Sequence, residues 1–144
     1  MSEGFRERNA QVIADFRANG GYVGGDRPGR PILLLTIPGR RTGQLRTNPL
    51  LYLHVDNRYF VFASHSGASD HPEWYLNLVV AESVTVEVPG RTFTANPQVI
   101  LGEERDRLFA LQVNILPQFA DSQAKTERMI PVIALLPDDE AVSQ

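Results

Sequence analysis

Arg46-Thr47-Asn48-Pro49-Leu50-Leu51-Tyr52-Leu53-His54-Val55-Asp56-Asn57-Arg58-Tyr59-Phe60-Val61-Phe62-Ala63-Ser64 reads as two extended runs folded back on each other. Arg46 to His54 and Arg58 to Ser64 are rich in Leu, Tyr, Phe and Val. Asp56-Asn57 between them are residues that tolerate the left-handed backbone of a tight hairpin turn. Upstream, Pro31 to Ile37 (Pro-Ile-Leu-Leu-Leu-Thr-Ile) is solidly apolar and reads as a buried strand, with a turn over Pro38 to Gly43. Downstream, Val84 to Val88 alternates cleanly, turns at Pro89-Gly90 and returns as Arg91 to Ile100, a second hairpin. Ile130 to Leu136 supplies one more apolar strand.

Helical patterns flank these strands. Glu3 to Ala18 carries Phe5, Val12, Ile13 and Phe16 on a loose face and stops at Asn19-Gly20-Gly21. His71 to Ala81 reads as a helix, with Asp70 or His71 at its start and Pro72 in its first turn. Glu103 to Leu116 reads as an amphipathic helix with Leu108, Leu111 and Ile115 on one face. Sequential antiparallel hairpins point to an α+β, mainly β protein: a small barrel of about six strands with packed helices. The expected division is an N-terminal helix with a Gly/Pro/Arg-rich flap over 1–30, a barrel over 31–137, and a tail over 138–144.

The chain of 144 residues is long enough for one self-sufficient core, and it has no cysteine. Disulfides, thiolate metal sites, a cysteine nucleophile and iron–sulfur chemistry are thereby excluded. No run reaches the ~18 apolar residues of a membrane span, and the N-terminus has no apolar signal core. A cytoplasmic location is the expectation, with weak peripheral contact at the inner membrane face left open through the Met1 to Ala18 helix.

Charge is segregated. Arg27, Arg30, Arg40, Arg41 and Arg46 lie between residues 27 and 55 with no acid among them, so that segment is +5 and the rest must be −8 to give the net −3. A concentrated cationic segment in an acidic protein suits a discrete anionic ligand. Nucleic-acid binding usually needs a broad basic face, and none is expected here.

The turn Gly39-Arg40-Arg41-Thr42-Gly43, with Arg46 beyond it, has the parts of an anion site. Its glycines free the backbone to present N–H groups, and planar guanidinium forks match phosphate or carboxylate oxygens in pairs. The competing reading is a solvated basic loop. No GxxxxGK[ST] or GxGxxG is present, which argues against a nucleotide triphosphatase and a dinucleotide-binding site. A second constellation, Ala63-Ser64-His65-Ser66-Gly67 followed by Pro72-Glu73-Trp74-Tyr75-Leu76-Asn77, places a hydroxyl-rich loop before a helix. Trp74 also has a plain reading as a core aromatic. His54, His65 and His71 have no completing carboxylate at ligand spacing, so no metal is expected. Ser64, His65 and Asp70 lack a nucleophile elbow.

Together these segments resemble the deazaflavin-dependent nitroreductase family, the split-barrel F420H2-dependent reductases of actinobacteria. The likeness runs from about Pro31 to Pro137 and rests on Gly39-Arg40-Arg41-Thr42-Gly43, Arg46, Asn48-Pro49-Leu50, Ala63-Ser64, Gly67, Pro72 and Trp74-Tyr75-Leu76-Asn77-Leu78. Thr126-Glu127-Arg128 and Ile130-Pro131-Val132 match the family's last loop and strand. The resemblance implies a split β-barrel and reduced coenzyme F420 as hydride donor to a quinone, activated enone or nitroaromatic acceptor. That cofactor carries a phosphodiester, a lactyl carboxylate and glutamates.

Carried over by position, Arg40, Arg41, Thr42 and Arg46 would hold the anionic tail. Thr47, Asn48, Pro49, Leu50 and Leu51, with Phe62, Ala63, Ser64 and His65, would line the ring, and Glu73, Trp74, Tyr75, Leu76 and Asn77 would close the site. Ser64 and Tyr75 would serve as the groups nearest the chemistry. Leu116, Phe119 and Ser122 would face the acceptor. Two departures stand out: His65 occupies a position where the family commonly has lysine, and Leu116 to Ser122 lacks the tyrosines of nitroreductive members. The alternatives are an FMN-dependent split barrel and a non-catalytic carrier of F420. Oligomeric state is left open.

Overall fold

The computed structural model describes residues 3–21, 31–64 and 67–138. The element order is α1 (Glu3–Ala18), β1 (Ile32–Pro38), β2 (Leu45–Val55), β3 (Arg58–Phe62), α2 (Glu73–Leu78), β4 (Val84–Val88), β5 (Arg91–Ile100), α3 (Gly102–Ile115), α4 (Gln118–Ala124) and β6 (Val132–Pro137). The strands close into an antiparallel barrel in the order β1-β2-β3-β6-β5-β4. The expected mainly-β split barrel is therefore the fold.

Turn chemistry fixes the hairpins. Asp56 and Asn57 both adopt positive φ, 55° and 63°, directly between the paired residues Val55 and Arg58. That handedness matches the twist of the flanking strands. Gly90, at φ 77°, closes the second hairpin between Val88 and Arg91.

Side-chain alternation sorts the strands into two faces. Leu33, Leu35 and Ile37, Val61, Val84, Val86 and Val88, Phe93 and Ala95, and Ile133 and Leu135 form one cluster, the barrel interior. Their neighbours face outward beneath helices. Phe60, Phe62, Val132 and Ala134 meet α3 and the Leu116–Phe119 segment, while Ile32 and Leu34 meet Phe16, Val12 and Ile13 of α1. This explains why Ile32 to Leu35 is uninterruptedly apolar: β1 is buried on both faces. A bidentate pair from Arg17 to Glu87, at 3.1 and 2.8 Å, ties the end of α1 across to β4.

Several boundaries and faces differ from expectation. The helix read over His71 to Ala81 is only α2, because after Leu78 the chain turns (Ala81 N–H donates to Leu78 O, 3.1 Å) to seat Ala81 on the barrel end. The strand expected to reach Ser64 ends at Phe62, and the last strand is shifted to Val132–Pro137. Ile115, expected on the buried face of α3, is 55% exposed. The buried stripe instead runs along Arg105, Leu108, Phe109 and Gln112. Two of those residues are polar, so counting apolar residues misplaces the face. Most of the expected flap, residues 22–30, and all but the first residue of the 138–144 tail lie outside the described residues, as does His65.

Candidate functional site

Between β1 and β2 the turn closes on itself. Gly39 N–H donates to Gln44 O at 2.9 Å, Gly43 N–H to Gly39 O at 2.8 Å, and Gln44 N–H to Thr42 Oγ1 at 3.2 Å. Gly43 sits at φ 75°, where a side chain would be strained. This compact turn puts three arginines at the edge of the barrel, and their circumstances differ.

Arg40 is committed to the protein. Its backbone N–H and Nη1 both donate to Asn77 Oδ1, at 3.0 and 2.8 Å, and Nη1 also reaches Glu73 Oε2 at 2.9 Å. Asn77 is 8% exposed, so the first two bonds form in a sheltered setting, whereas Glu73 is on the surface. Arg41 and Arg46 are exposed, and neither has a hydrogen bond or ion pair among the described residues.

These arginines line a groove of about 780 Å³, within the roughly 300–1,000 Å³ range of small-molecule and cofactor sites. One wall is the turn and the start of β2, including Thr42, Thr47 and Asn48. The second is α2, through Glu73, Trp74 and Asn77. The third is α1, through Asn9, Ala10 and Ile13. Thr47 shares a hydroxyl hydrogen bond of 2.8 Å with Thr36 across the strand pair, which orients it at the groove floor. A smaller pocket of about 190 Å³ adjoins through Asn9 and is bounded by Arg8, Val12, Ile32, Pro49, Leu50 and Leu51.

Nine of the expected site residues thus meet in one groove: Arg40, Arg41, Thr42, Arg46, Thr47, Asn48, Glu73, Trp74 and Asn77. Pro49, Leu50 and Leu51 line the adjoining pocket. Other expected residues are not brought there. Phe62 and Ala63 are buried in the two cores, and Leu76 is half-buried on α2. Tyr75 packs against the barrel core, with its ring 4.7 Å from His71 and 6.5 Å from Trp74. Leu116 and Phe119 are buried against the outer barrel face, with Phe119 5.6 Å from the Phe62 ring. Ser122 places its carbonyl beside Gly67. Leu116 and Phe119 are buried because they cover the outward-facing Phe60, Phe62, Val132 and Ala134 of the barrel.

Ser64 lies in the approach to α2 and does not line the groove. Its carbonyl accepts from Arg128 Nη2 at 2.7 Å and from Gly67 N–H at 3.0 Å. Nearby, burial pushes the His71 imidazole below its ordinary range, and Arg128 pushes the same way while Asp70 opposes both. The contribution of α1 to the groove was not legible in sequence. Asn9 and Ile13 are one helical turn apart, and that spacing marks a shared face without saying what it covers.

The sequence profile of the F420H(2)-dependent quinone reductase family matches residues 8–137. The chain belongs to that family. An F420H(2)-dependent quinone reductase of Mycobacterium tuberculosis is 31% identical over 126 residues, covering 85% of each chain. A second protein of that organism, provisionally named for the same activity, is 35% identical over 107 residues, 74% of this chain and 90% of its own. The solved structure of an F420-H2 dependent reductase superposes with a TM-score of 0.68 at 33% identity, covering 78% of this chain and 99% of that one. F420H(2)-dependent quinone reductases are oxidoreductases, and reduced coenzyme F420 is the family's hydride donor. Three arginines of the acid-free cationic segment, Arg40, Arg41 and Arg46, line this groove.

Proposed function

We propose that the groove bounded by the arginine turn, α2 and α1 holds reduced coenzyme F420 for the reduction of a quinone. The observation that carries this is the pair Arg41 and Arg46, two exposed cations without partners among the described residues, on one groove wall. They suit the phosphate and carboxylates of the cofactor tail, and the one acid lining the groove, Glu73, is paired with Arg40. When bound, the deazaflavin supplies a hydride to its acceptor. The chain's own part is to bind and orient. Arg41 and Arg46 hold the anionic end, Thr47 and Asn48 offer polar groups along β2, and Trp74 presents an aromatic wall.

The smaller pocket suits the acceptor. A cavity of about 150 Å³ holds a benzene-sized ring, and this one is lined by Val12, Ile32, Pro49, Leu50 and Leu51. Arg8 at its edge offers a cation to a quinone oxygen as negative charge develops there. Since Ser64 and Tyr75 stand outside the groove lining, solvent is the proton source this arrangement supports.

The test is fluorescence titration of the protein with oxidised F420, with FMN in parallel, followed by oxidation of F420H2 on adding a quinone. Saturable F420 binding that weakens in Arg41→Ala, together with quinone-dependent turnover, supports the reading. Preference for FMN overturns the cofactor, and binding without turnover leaves a carrier.

A further inference from the structure

Helix α2 forms one wall of the groove, yet it has six residues and no side-chain cap. Isolated helices of fewer than about 12–15 residues are marginal, so its position is imposed from outside. On the groove side Arg40 ties it through Asn77 and Glu73, and Leu78 is buried in the barrel interior. A further restraint lies at the opposite end, in the approach to the helix, and converges on a single side chain.

Arg128 precedes β6 and reaches back some sixty residues. Its Nε donates to Ala68 O at 3.0 Å, Nη1 to Ala63 O at 3.1 Å, and Nη2 to Ser64 O at 2.7 Å. Nη1 also lies 3.2 Å from His71 Nδ1. An arginine only donates and keeps its proton in proteins, so Nδ1 is the acceptor and His71 is the neutral Nε2–H tautomer. The guanidinium thus joins the end of β3, the following loop and the residue before Pro72.

Arg128 is itself held firmly. Its N–H donates to Thr126 Oγ1 at 3.3 Å, and its carbonyl accepts from Gln123 Nε2 at 2.8 Å. Gln123 Oε1 in turn accepts from Ile130 N–H and from Arg105 Nη2, at 3.1 and 2.9 Å. Buried Arg105 also donates twice to Ile130 O and stacks 4.4 Å over the Phe109 ring. Gly67 completes the seat. At φ 80° it approaches α4 so closely that a Cβ would stand 2.7 Å from Ser122 O and 2.9 Å from Lys125 Cβ.

We infer that Arg128 is a positioning residue for the reaction, clamping the loop of Ala63, Ser64, Ala68 and His71 so that α2 presents Trp74 and Asn77 to the groove. This rests on the groove being the F420 site. The arginine turn is closed by its own hydrogen bonds, so loss of the clamp leaves Arg41 and Arg46 in place and displaces the opposite wall. Orientation suffers more than tail binding. Lysine, a point charge with no planar fork, cannot span four acceptors.

The experiment compares wild type, Arg128→Lys and Arg128→Met, with thermal unfolding to verify that each folds. Nitrogen-15 NMR reads the His71 tautomer and titration midpoint, F420 titration reads Kd, and steady-state kinetics with a soluble benzoquinone read kcat and KM. The expected result is an Nε2–H tautomer in wild type and a His71 midpoint that rises in Arg128→Met. With it, kcat falls about tenfold or more, F420 Kd changes less than about threefold, and Arg128→Lys lies between. Should Arg128→Met fail to fold, the same ordering is read from Arg128→Lys alone. An Nδ1–H tautomer, or a His71 midpoint unmoved by the substitutions, shows that the clamp is absent. A clamp confirmed by NMR with kcat unchanged overturns the positioning role. Wild type that neither binds nor oxidises F420H2 overturns the groove assignment, and the positioning role with it, while the His71 signals still report the contact.

Discussion

Asn77 Oδ1 accepts two hydrogen bonds from one residue, Arg40, through its backbone N–H at 3.0 Å and its Nη1 at 2.8 Å. A helix wall and a turn wall of the groove are thereby joined at a single oxygen. Asn77→Ala removes that acceptor and leaves a sheltered N–H and part of a guanidinium unsatisfied. The expected loss is about 1–3 kcal/mol of stability, measured by urea denaturation, together with a higher KM for F420H2. Unchanged stability shows that water replaces the amide without penalty.

Arg41 and Arg46 make the opposite prediction. Neither supports the fold through a hydrogen bond or ion pair among the described residues, so Arg41→Ala and Arg46→Ala should leave stability within roughly 0.5 kcal/mol. Each should weaken F420 binding by about ten- to a hundredfold, the worth of a charge-assisted hydrogen bond of about 1.5–3 kcal/mol. The double variant should also lose most of the salt dependence of binding, read by repeating the titration across ionic strength.

Gln112 is fully buried, and neither its Nε2 nor its Oε1 has a hydrogen-bond partner among the described residues. It sits on the face of α3 that also buries Leu108 and Phe109. Gln112→Met keeps the length of the side chain and removes the unsatisfied amide. A gain of about 1 kcal/mol is expected, equivalent to a rise of roughly 3 °C in Tm. A fall in Tm shows that the amide is satisfied in solution, and the gain should leave F420 binding unaltered.

His71 faces Arg128, Asp70 and the Tyr75 ring, and its imidazole is held below the ordinary value of 6.5 chiefly by burial. A histidine with a lowered folded-state pKa binds fewer protons folded than unfolded in the interval between the two values. Stability should therefore fall as pH drops below 6.5 and level off once the folded-state value is passed. Differential scanning calorimetry between pH 5 and pH 8 should show a smaller acid loss in His71→Gln than in wild type. Equal losses place the acid sensitivity elsewhere.

Local chemistry made the barrel legible. Period-two alternation marked Val84 to Val88, Asp56-Asn57 and Pro89-Gly90 marked the turns, and the doubly buried β1 announced itself as an unbroken apolar run. Each of these signals lies within a few residues, where backbone sterics and side-chain alternation act directly. The same holds for the acid-free cationic segment, whose turn carries Arg40, Arg41 and Arg46 to one edge of the barrel.

Long-range pairing decided the remainder. Nothing near Arg40 in sequence separates it from Arg41. It is Asn77 and Glu73 that take it up, while Arg41 and Arg46 have no partner among the described residues. Helix α1 became a groove wall because Ile32 and Leu34 needed cover on the outer face of β1. Leu116 and Phe119 went to the core for the same reason, and Ile115 was left outside because Arg105 and Gln112 took the buried stripe of α3. By itself the sequence determined a barrel bearing one concentrated cationic turn. Only the tertiary structure decided that Arg40 is taken up by Asn77 and Glu73, because a charge is paired by partners tens of residues away.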